Sequence, residues 1–422
     1  MNLRIAASLF LIVLIACSQA QVPAGESNDA TLRFQVSGEA EEVAVYDTLI
    51  NAFESDNPEI TVRKTVIADK DDHLAKLATS FSGGNPPDVF LVNFREFSQF
   101  VALQAVEPIE DLLTDLEIDY NDYFEEPLEA FTYDGTLQCM PQNISSLVVY
   151  YNKTLFKQGG LNRPPDDWTW EEFRNYGIEL TKGDIDGIGI EPSVIRAAPF
   201  VWSNGGEVVD DIENPSRFIL DEAPAREALE FLVDLVRRDR VVPTEEEVIA
   251  QDLETRFMSG KLGMLLSSRR DTPSFREVIG LDWDVSALPT AEQPAGILHS
   301  DGYCIAAGSD RVDAAAEFVA FATGEEGQTI TALAGRTVPS LESVADSGAF
   351  LDPSQPPAHS EVFIEGIPHI RRTPVIPTWP QIEDLAEEIF TRMFYEPSYT
   401  IEQGIEELNK ESQPLFEEAL NE

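Results

Sequence analysis

The sequence predicts an α/β protein built from open sheets flanked by helices and divided into two lobes. Three observations carry this prediction. Stretches with strand-like alternation and stretches with helix-like spacing follow one another along the chain, the pattern of sheets covered by helices. About 390 residues remain once an apolar leader is set aside, more than one hydrophobic core usually serves. With 43% hydrophobic and 9% aromatic residues, the chain has material for two packed interiors.

The leader comes first. Arg4 precedes an apolar run from Ile5 to Ala16 that only Ser8 interrupts. The run suits the core of a signal peptide, whereas a membrane-spanning helix needs about 20 apolar residues. It ends in Leu14-Ile15-Ala16-Cys17, which resembles the lipobox of prokaryotic lipoproteins. That resemblance implies removal of residues 1–16 and diacylation of Cys17. An acyl chain contributes roughly 0.8 kcal/mol per buried methylene, and two chains make a stable anchor. An ordinary cleaved signal peptide with an incidental cysteine is the alternative. Residues 17–31, polar and punctuated by Gly and Pro, read as a tether. No later stretch is apolar enough to span a bilayer, so the remainder is expected outside the cytoplasm.

Leu32, Phe34 and Val36 alternate in a first strand. After a glycine and acidic cluster from Gly38 to Glu42, helical spacing joins Tyr46, Leu49, Ile50 and Phe53. Asn57-Pro58 then turns the chain into a second strand, completing a β-α-β unit. The next helix stops at Gly83-Gly84, and a short buried strand runs from Asp88 to Val92. Further on, Ala228, Leu232, Leu235 and Val236 share one helical face behind a candidate N-cap at Asp221. Another helix, DAAAEFVAFAT, runs into Gly324. No repeat or long low-complexity linker separates the lobes, so short crossings are expected between them. The Pro-rich patch at 352–357 is the one long loop-like stretch.

Charge bounds the partners. Asp plus Glu number 76 against 29 Lys plus Arg, a net of −47. Such a surface repels nucleic acid and anionic membranes. It reads either as a solvated acidic surface or as adaptation to high salt, which screens self-repulsion. Cys139 and Cys304 remain beside Cys17, and two readings stand for them: a disulfide, or two buried thiols.

Catalytic signatures are missing. There is no HExxH, GxSxG, GxxxxGK[ST] or CxxC, and the four histidines, at 73, 299, 359 and 369, lack metal-ligand spacing. The run GDIDGIG at 183–189 lacks a full calcium-loop pattern and reads as a tight turn. No cofactor and no metal are expected. An acidic dyad for glycoside hydrolysis stays open, because carboxylates are everywhere in this chain.

The stretch LVVYYNKTLFKQGG, residues 147–160, is a strand entering a helix. It resembles the signature of the family 1 extracellular solute-binding proteins, the receptors of ATP-binding-cassette importers. PPDDWTWEEF, WSNGGE, FMSGKLGMLL, LDWDVSALP, SDGYCIAAGSDRVDAAAEFVAFATGEEGQ, GRTVPSLESV and IPTWPQIEDL resemble further segments of that family, in order, from about residue 32 to 420. The resemblance implies a type II periplasmic-binding-protein fold with three hinge crossings, placed near 140, 289 and 340. The lobes would then comprise residues 32–140 plus 289–340, and 141–288 plus 341–422. It also accounts for the missing catalysts, since a receptor pinches its guest by hinge closure and needs no reactive nucleophile.

By matched motif positions, the first lobe would offer Gly38 and Glu39 after its opening strand, Asn93, Phe94 and Arg95 after DVFLV, and Asp301, Gly302 and Tyr303 from the returning strand. The second would offer Gln142 and Asn143 beside the hinge, Trp202 and Asn204 ahead of a glycine pair, Arg269 and Arg270 after MLLSS, and Trp379. These types suit a sugar: flat aromatic faces cover ring C–H groups, while amides, carboxylates and guanidinium groups pair with hydroxyls. Each aromatic also has a core reading. Trp168 and Trp170 read as structural, Tyr150 as packing at the hinge, and Asn152 as a helix cap. Where many sugar-binding relatives carry a tryptophan, this chain has Ser267-Ser268-Arg269-Arg270-Asp271. The two arginines are either salt-bridged structural residues or a site for a carboxylated or sulfated sugar.

The expected molecule is a monomeric, lipid-anchored receptor in the cell envelope. It would capture a mono- or oligosaccharide and deliver it to the transmembrane subunits of a permease. A polyamine receptor, an anchored glycoside hydrolase and a structural adhesin are the alternatives.

Overall fold

The computed structural model describes residues 30–38 and 40–420, so the leader, Cys17, most of the tether and Glu39 lie outside the described residues. Among the described residues two large sheets form, one of six strands and one of four. The first places Ile60–Ile67 beside Ala30–Ser37, then Val89–Asn93, Asp301–Ala306 and Val106–Glu107, with Cys139–Pro141 also paired to Asp301–Ala306. Its opening pair is parallel, from Ala30 opposite Ile60 to Ser37 opposite Ile67. Asp301–Ala306 runs antiparallel to its neighbours. The predicted alternation is what buries Leu32, Phe34 and Val36 completely.

The second sheet has the order Trp283–Ser286, Val148–Asn152, Leu262–Ser267, Asp186–Gly189. Both of its faces are covered, and the two-residue period divides its side chains between two cores. Val148, Tyr150 and Leu265 join an apolar cluster continuous with the first sheet, whereas Val149, Tyr151, Met264 and Leu266 join the second cluster. Helices Ala223–Arg237, Trp379–Tyr395 and Ile401–Ala419 supply much of that second core. This two-sided burial explains why the middle strand reads as an uninterrupted apolar run.

Local chemistry sets many boundaries. The Asn152 side chain accepts the Leu155 N–H at 3.1 Å and starts the helix Lys153–Gly159. Thr169 and Glu172 form a capping box for Trp170–Leu180. Trp168 is buried and donates its indole N–H to the Ala287 carbonyl, while Trp170 stacks on Phe231, so both serve packing. Tyr150 is buried with its hydroxyl on the Ser268 carbonyl at 2.8 Å. One expectation needs correcting. Asp221 does not cap the helix Ala223–Arg237; Glu222 holds the cap position without a side-chain bond, and Pro224 opens the first turn, where its missing N–H costs nothing.

The chain changes sheets between Pro141 and Val148, and again between Ser286 and Asp301. Helices Val312–Thr323 and Glu325–Leu333 follow, and Phe318 of the first packs on Phe34 and Phe53. Beyond Leu341 the chain moves on toward the second core. The crossing segments lie side by side as a ladder. Ile144 N–H donates to the Val338 carbonyl, Ser145 and His299 exchange backbone bonds, and Leu298 N–H donates to Arg371. At the root of the ladder Cys139 and Cys304 face each other across paired strands and form a disulfide with Cα atoms 4.5 Å apart, which decides between the two readings of these thiols.

Candidate functional site

The strand ends of the first sheet converge on the crossing ladder. Gly38 sits at the bend after Ala30–Ser37 with φ of 138°, a backbone region closed to most side chains, and its N–H reaches the Ile67 carbonyl. Asn93 ends the strand Val89–Asn93 and caps the helix Phe94–Ala102 by accepting the Arg95 N–H at 3.3 Å. Its Nδ2 donates to Asp301 Oδ1 at 3.0 Å. Phe94 is buried beneath, its N–H on the Ser300 carbonyl. Gly302 is needed because a Cβ there would meet the Phe131 ring at 2.7 Å.

Arg95 turns toward the helix Trp379–Tyr395. Its Nε donates to Asn93 Oδ1 at 3.1 Å and its Nη1 to Glu383 Oε2 at 2.6 Å, in an ion pair whose side chains are each 14% exposed. Glu383 Oε1 also accepts the Trp379 indole N–H at 2.5 Å. A continuous chain of hydrogen bonds therefore runs from Asp301 through Asn93, Arg95 and Glu383 to Trp379, linking the first sheet to a helix of the second core. Burial on its own would lower the pKa of Arg95, but Glu383, Glu96 and Asp301 raise it. Burial raises the carboxyl of Glu383, and Arg95 opposes that rise.

Beside this chain, Gln142 is fully buried and its Oε1 accepts from the hydroxyls of Tyr46 at 2.7 Å and Tyr303 at 2.9 Å. Burial holds the Tyr303 phenol well above its ordinary range. Asn143 bridges two crossing segments, donating to the His299 carbonyl and accepting the Asp301 N–H. Asn93, Arg95, Gln142, Asn143, Asp301, Tyr303 and Trp379 are thus brought into one neighbourhood.

The remaining positions lie elsewhere. Trp202 is 3% exposed, with the Arg371 guanidinium 4.8 Å above its ring. Asn204 turns to the Pro224 carbonyl and Glu227. Arg269 is 1% exposed, held between Phe350 and Phe363 and bonded to the Gly335 carbonyl and Ser360 Oγ. It makes structural bonds there. Arg270 points outward beside Asp271. Trp379 itself is fully enclosed, its ring against Phe218. Sequence reasoning missed Glu383 and Tyr46. Glu383 lies one helical turn after Trp379, the spacing that lets a carboxylate meet the indole N–H. Further along that helix, Asp384, Glu387, Glu388 and Thr391 line an open acidic groove, and burial raises the carboxyls of Asp384 and Glu387.

Among the described residues no His, Cys, Asp or Glu group is arranged to hold a metal ion, and no helix is long and apolar enough to cross a membrane. Residues 48–358 match a family described as bacterial extracellular solute-binding protein. A binding protein of Brucella abortus is 23% identical over 364 residues, covering 83% of this chain and 84% of its own length. The sn-glycerol-3-phosphate-binding periplasmic protein UgpB of Shigella flexneri is 27% identical over 159 residues, 37% of this chain and 36% of that one. An ABC substrate-binding protein from Listeria monocytogenes, solved in complex with cycloalternan, superposes with a TM-score of 0.84 at 24% identity, covering 93% of this chain and 99% of that one. UgpB from Mycobacterium tuberculosis, solved with glycerophosphocholine, gives 0.80 at 20% identity over 92% and 99%. Maltose-bound MalE3 of T. maritima gives 0.79 at 20% identity over 92% and 100%. The fold is the two-lobed fold of these binding proteins.

Proposed function

Because the chain belongs to the bacterial extracellular solute-binding proteins, we propose that it captures a neutral mono- or oligosaccharide between its lobes and hands it to an ABC permease. One observation carries this proposal: the bonded series Asp301, Asn93, Arg95, Glu383 and Trp379 gathers carboxylates, an amide, a forked guanidinium and an indole where the helix Phe94–Ala102 meets the helix Trp379–Tyr395. Those groups offer paired donors and acceptors to hydroxyls. The Arg95 guanidinium is already paired with Glu383, so the series holds no spare cation for an anionic solute. Cycloalternan, tagatose and maltose, named for three structural neighbours, are saccharides, whereas glycerophosphocholine, named for a fourth, is a phosphodiester.

In this proposal the lobes are residues 32–140 plus 289–340 and residues 141–288 plus 341–422, and they swing about the crossing ladder. Gly38, Asn93, Arg95, Asn143 and Asp301 lie at the closing surfaces, and the buried Gln142, Tyr303, Trp202 and Trp379 back them. The chain works as a monomer by binding alone, without bond cleavage. Cys17 carries the lipid that holds it at the outer side of the membrane. A cationic solute is the second reading, favoured by the groove lined by Asp384, Glu387 and Glu388.

A thermal-shift and calorimetric panel on residues 18–422 tests the choice. Maltose, maltotriose, D-tagatose, galacturonate, sn-glycerol-3-phosphate and spermidine would each be added in excess. A saccharide at about 100 times its dissociation constant stabilises the folded chain by about 2.7 kcal/mol. A shift with neutral saccharides alone is the expected result. A shift with spermidine alone selects the second reading, and steady release of cut glycan removes both.

A further inference from the structure

Arg269 is a buried cation that meets no carboxylate. Its side chain is 1% exposed, yet among the described residues it forms no ion pair. Its Nε donates to the Gly335 carbonyl at 3.1 Å and its Nη1 to Ser360 Oγ at 3.1 Å, while its Nη2 has no hydrogen-bond partner in the protein. Asp271, two residues on, is turned to Ser267 and Arg270 instead. The rings of Phe350 and Phe363, centred 4.8 and 5.2 Å from the guanidinium carbon, offset part of the lost hydration. They bring no negative charge.

A second guanidinium stands at the same place. Arg276, half-buried on the short helix Thr272–Glu277, donates its Nε to the Pro356 carbonyl at 2.7 Å and also forms no ion pair among the described residues. Gly335 brings the two together: its carbonyl takes the Arg269 Nε, and a Cβ built on it would lie 2.4 Å from Arg276 Nη1. Both guanidinium groups therefore lie against this one residue, and the segment 356–360 touches both as well, through Pro356 and Ser360. Burial above all, with Arg276 adding to it and Tyr150 opposing, pushes the Arg269 guanidinium down to about 9, so it stays charged at neutral pH. Burial lowers Arg276 too, resisted by Tyr150 and by the field of Asp352, which is not within ion-pair distance. Buried charges are ordinarily paired, because their lost hydration has to be replaced. In a chain with 76 acidic residues against 29 basic ones, two neighbouring arginines without a carboxylate call for an anion from outside.

We propose that Arg269 and Arg276 hold a small monovalent anion, chloride above all, where Gly335, residues 269–276 and residues 350–363 meet. A guanidinium only donates hydrogen bonds, and a halide only accepts them, from any direction. A single charge also costs less to strip of water than the nearly double charge of a phosphate. The ion is structural: it ties Gly335, in the segment that returns from the first sheet, to the short helix Thr272–Glu277 and to the stretch carrying Phe350 and Ser360. None of these groups belongs to the bonded series from Asp301 to Trp379, and the inference holds whichever solute the protein captures.

Thermal melts of residues 18–422 in potassium chloride, bromide and methanesulfonate test it at one fixed ionic strength, where screening is the same in all three. The wild type should melt higher in chloride and bromide than in the bulkier methanesulfonate, and replacing methanesulfonate by chloride stepwise should give a saturating rise. Arg276→Gln, at a half-buried position, should move the midpoint of that rise to at least tenfold more chloride. Arg269→Met should abolish the rise; if that variant does not fold, Arg276→Gln decides alone. Crystals grown in bromide should show an anomalous peak within hydrogen-bond reach of both guanidinium groups. Equal melts in the three salts, or a rise with an unchanged midpoint in Arg276→Gln, would overturn the site. A bromide peak without halide-dependent stability would mean an adventitious ion only, and would overturn it as well.

Discussion

The ion pair between Arg95 and Glu383 should set how firmly the lobes stay together. Arg95 stands on the helix that follows the strand Val89–Asn93, and Glu383 on the helix Trp379–Tyr395 of the second core. At 2.6 Å and 14% exposure on each side, the pair is largely withdrawn from water. Removing one partner of a fully buried pair costs about 3–5 kcal/mol. Residual exposure at the junction of the lobes reduces this to about 2 kcal/mol. If opening the lobes separates the pair, the loss falls on the closed state alone. At 1.4 kcal/mol per decade, solute affinity then drops about 30-fold. Arg95→Met and Glu383→Gln should each show that drop in calorimetry with the tightest saccharide. Small-angle scattering should show a larger radius of gyration for both variants than for the wild type. The double variant should bind better than the sum of the single losses predicts, because no charge is left without its partner. Affinities within threefold of wild type, with additive effects and unchanged scattering, would refute the coupling.

Two further outcomes are expected. The Asp88 carboxylate is buried; burial would raise its pKa, but bonds from the Arg33 side chain and backbone and from Ser309 more than offset this and lower it. Its contribution is therefore full above the unfolded value of about 4 and fades as pH falls through the lower folded value, so Asp88→Asn should cost about 2 kcal/mol at neutral pH in urea melts and converge with wild type in strong acid; a constant gap across pH would contradict this. With a net charge of −47, the melting temperature should climb several degrees as KCl shortens the screening length from about 10 Å at 0.1 M to about 3 Å at 1 M, and a flat or falling curve would count against charge repulsion as a burden on the fold.

What the sequence shows depends on how far apart the partners lie. Leu32, Phe34 and Val36 declare their strand by alternation, and Asn152 declares its helix by chemistry settled within three residues. The helix Ala223–Arg237 is equally plain from its apolar face, though its start sits one residue from where the acidic signal suggested. The site is less legible because its bonds join distant positions. Arg95 meets Glu383 across 288 residues, and nothing near either one announces the other. Arg269 invites a ligand-binding role in so acidic a chain, yet Phe350, Ser360 and Phe363 enclose it from another segment altogether. Trp379 is aromatic and flanked by prolines, cues that cannot separate a ring facing a guest from one facing Phe218.

The bond between Cys139 and Cys304 has a bearing on survival outside the cell. It closes a covalent ring around an excursion of 165 residues, and that excursion contains every strand of the four-stranded sheet. A protease that nicks any loop inside the ring cannot liberate a fragment, since both new ends stay sewn to the same strand pair. In an oxidising medium a clipped receptor therefore remains one particle, and only a reductant arriving afterwards would let it come apart.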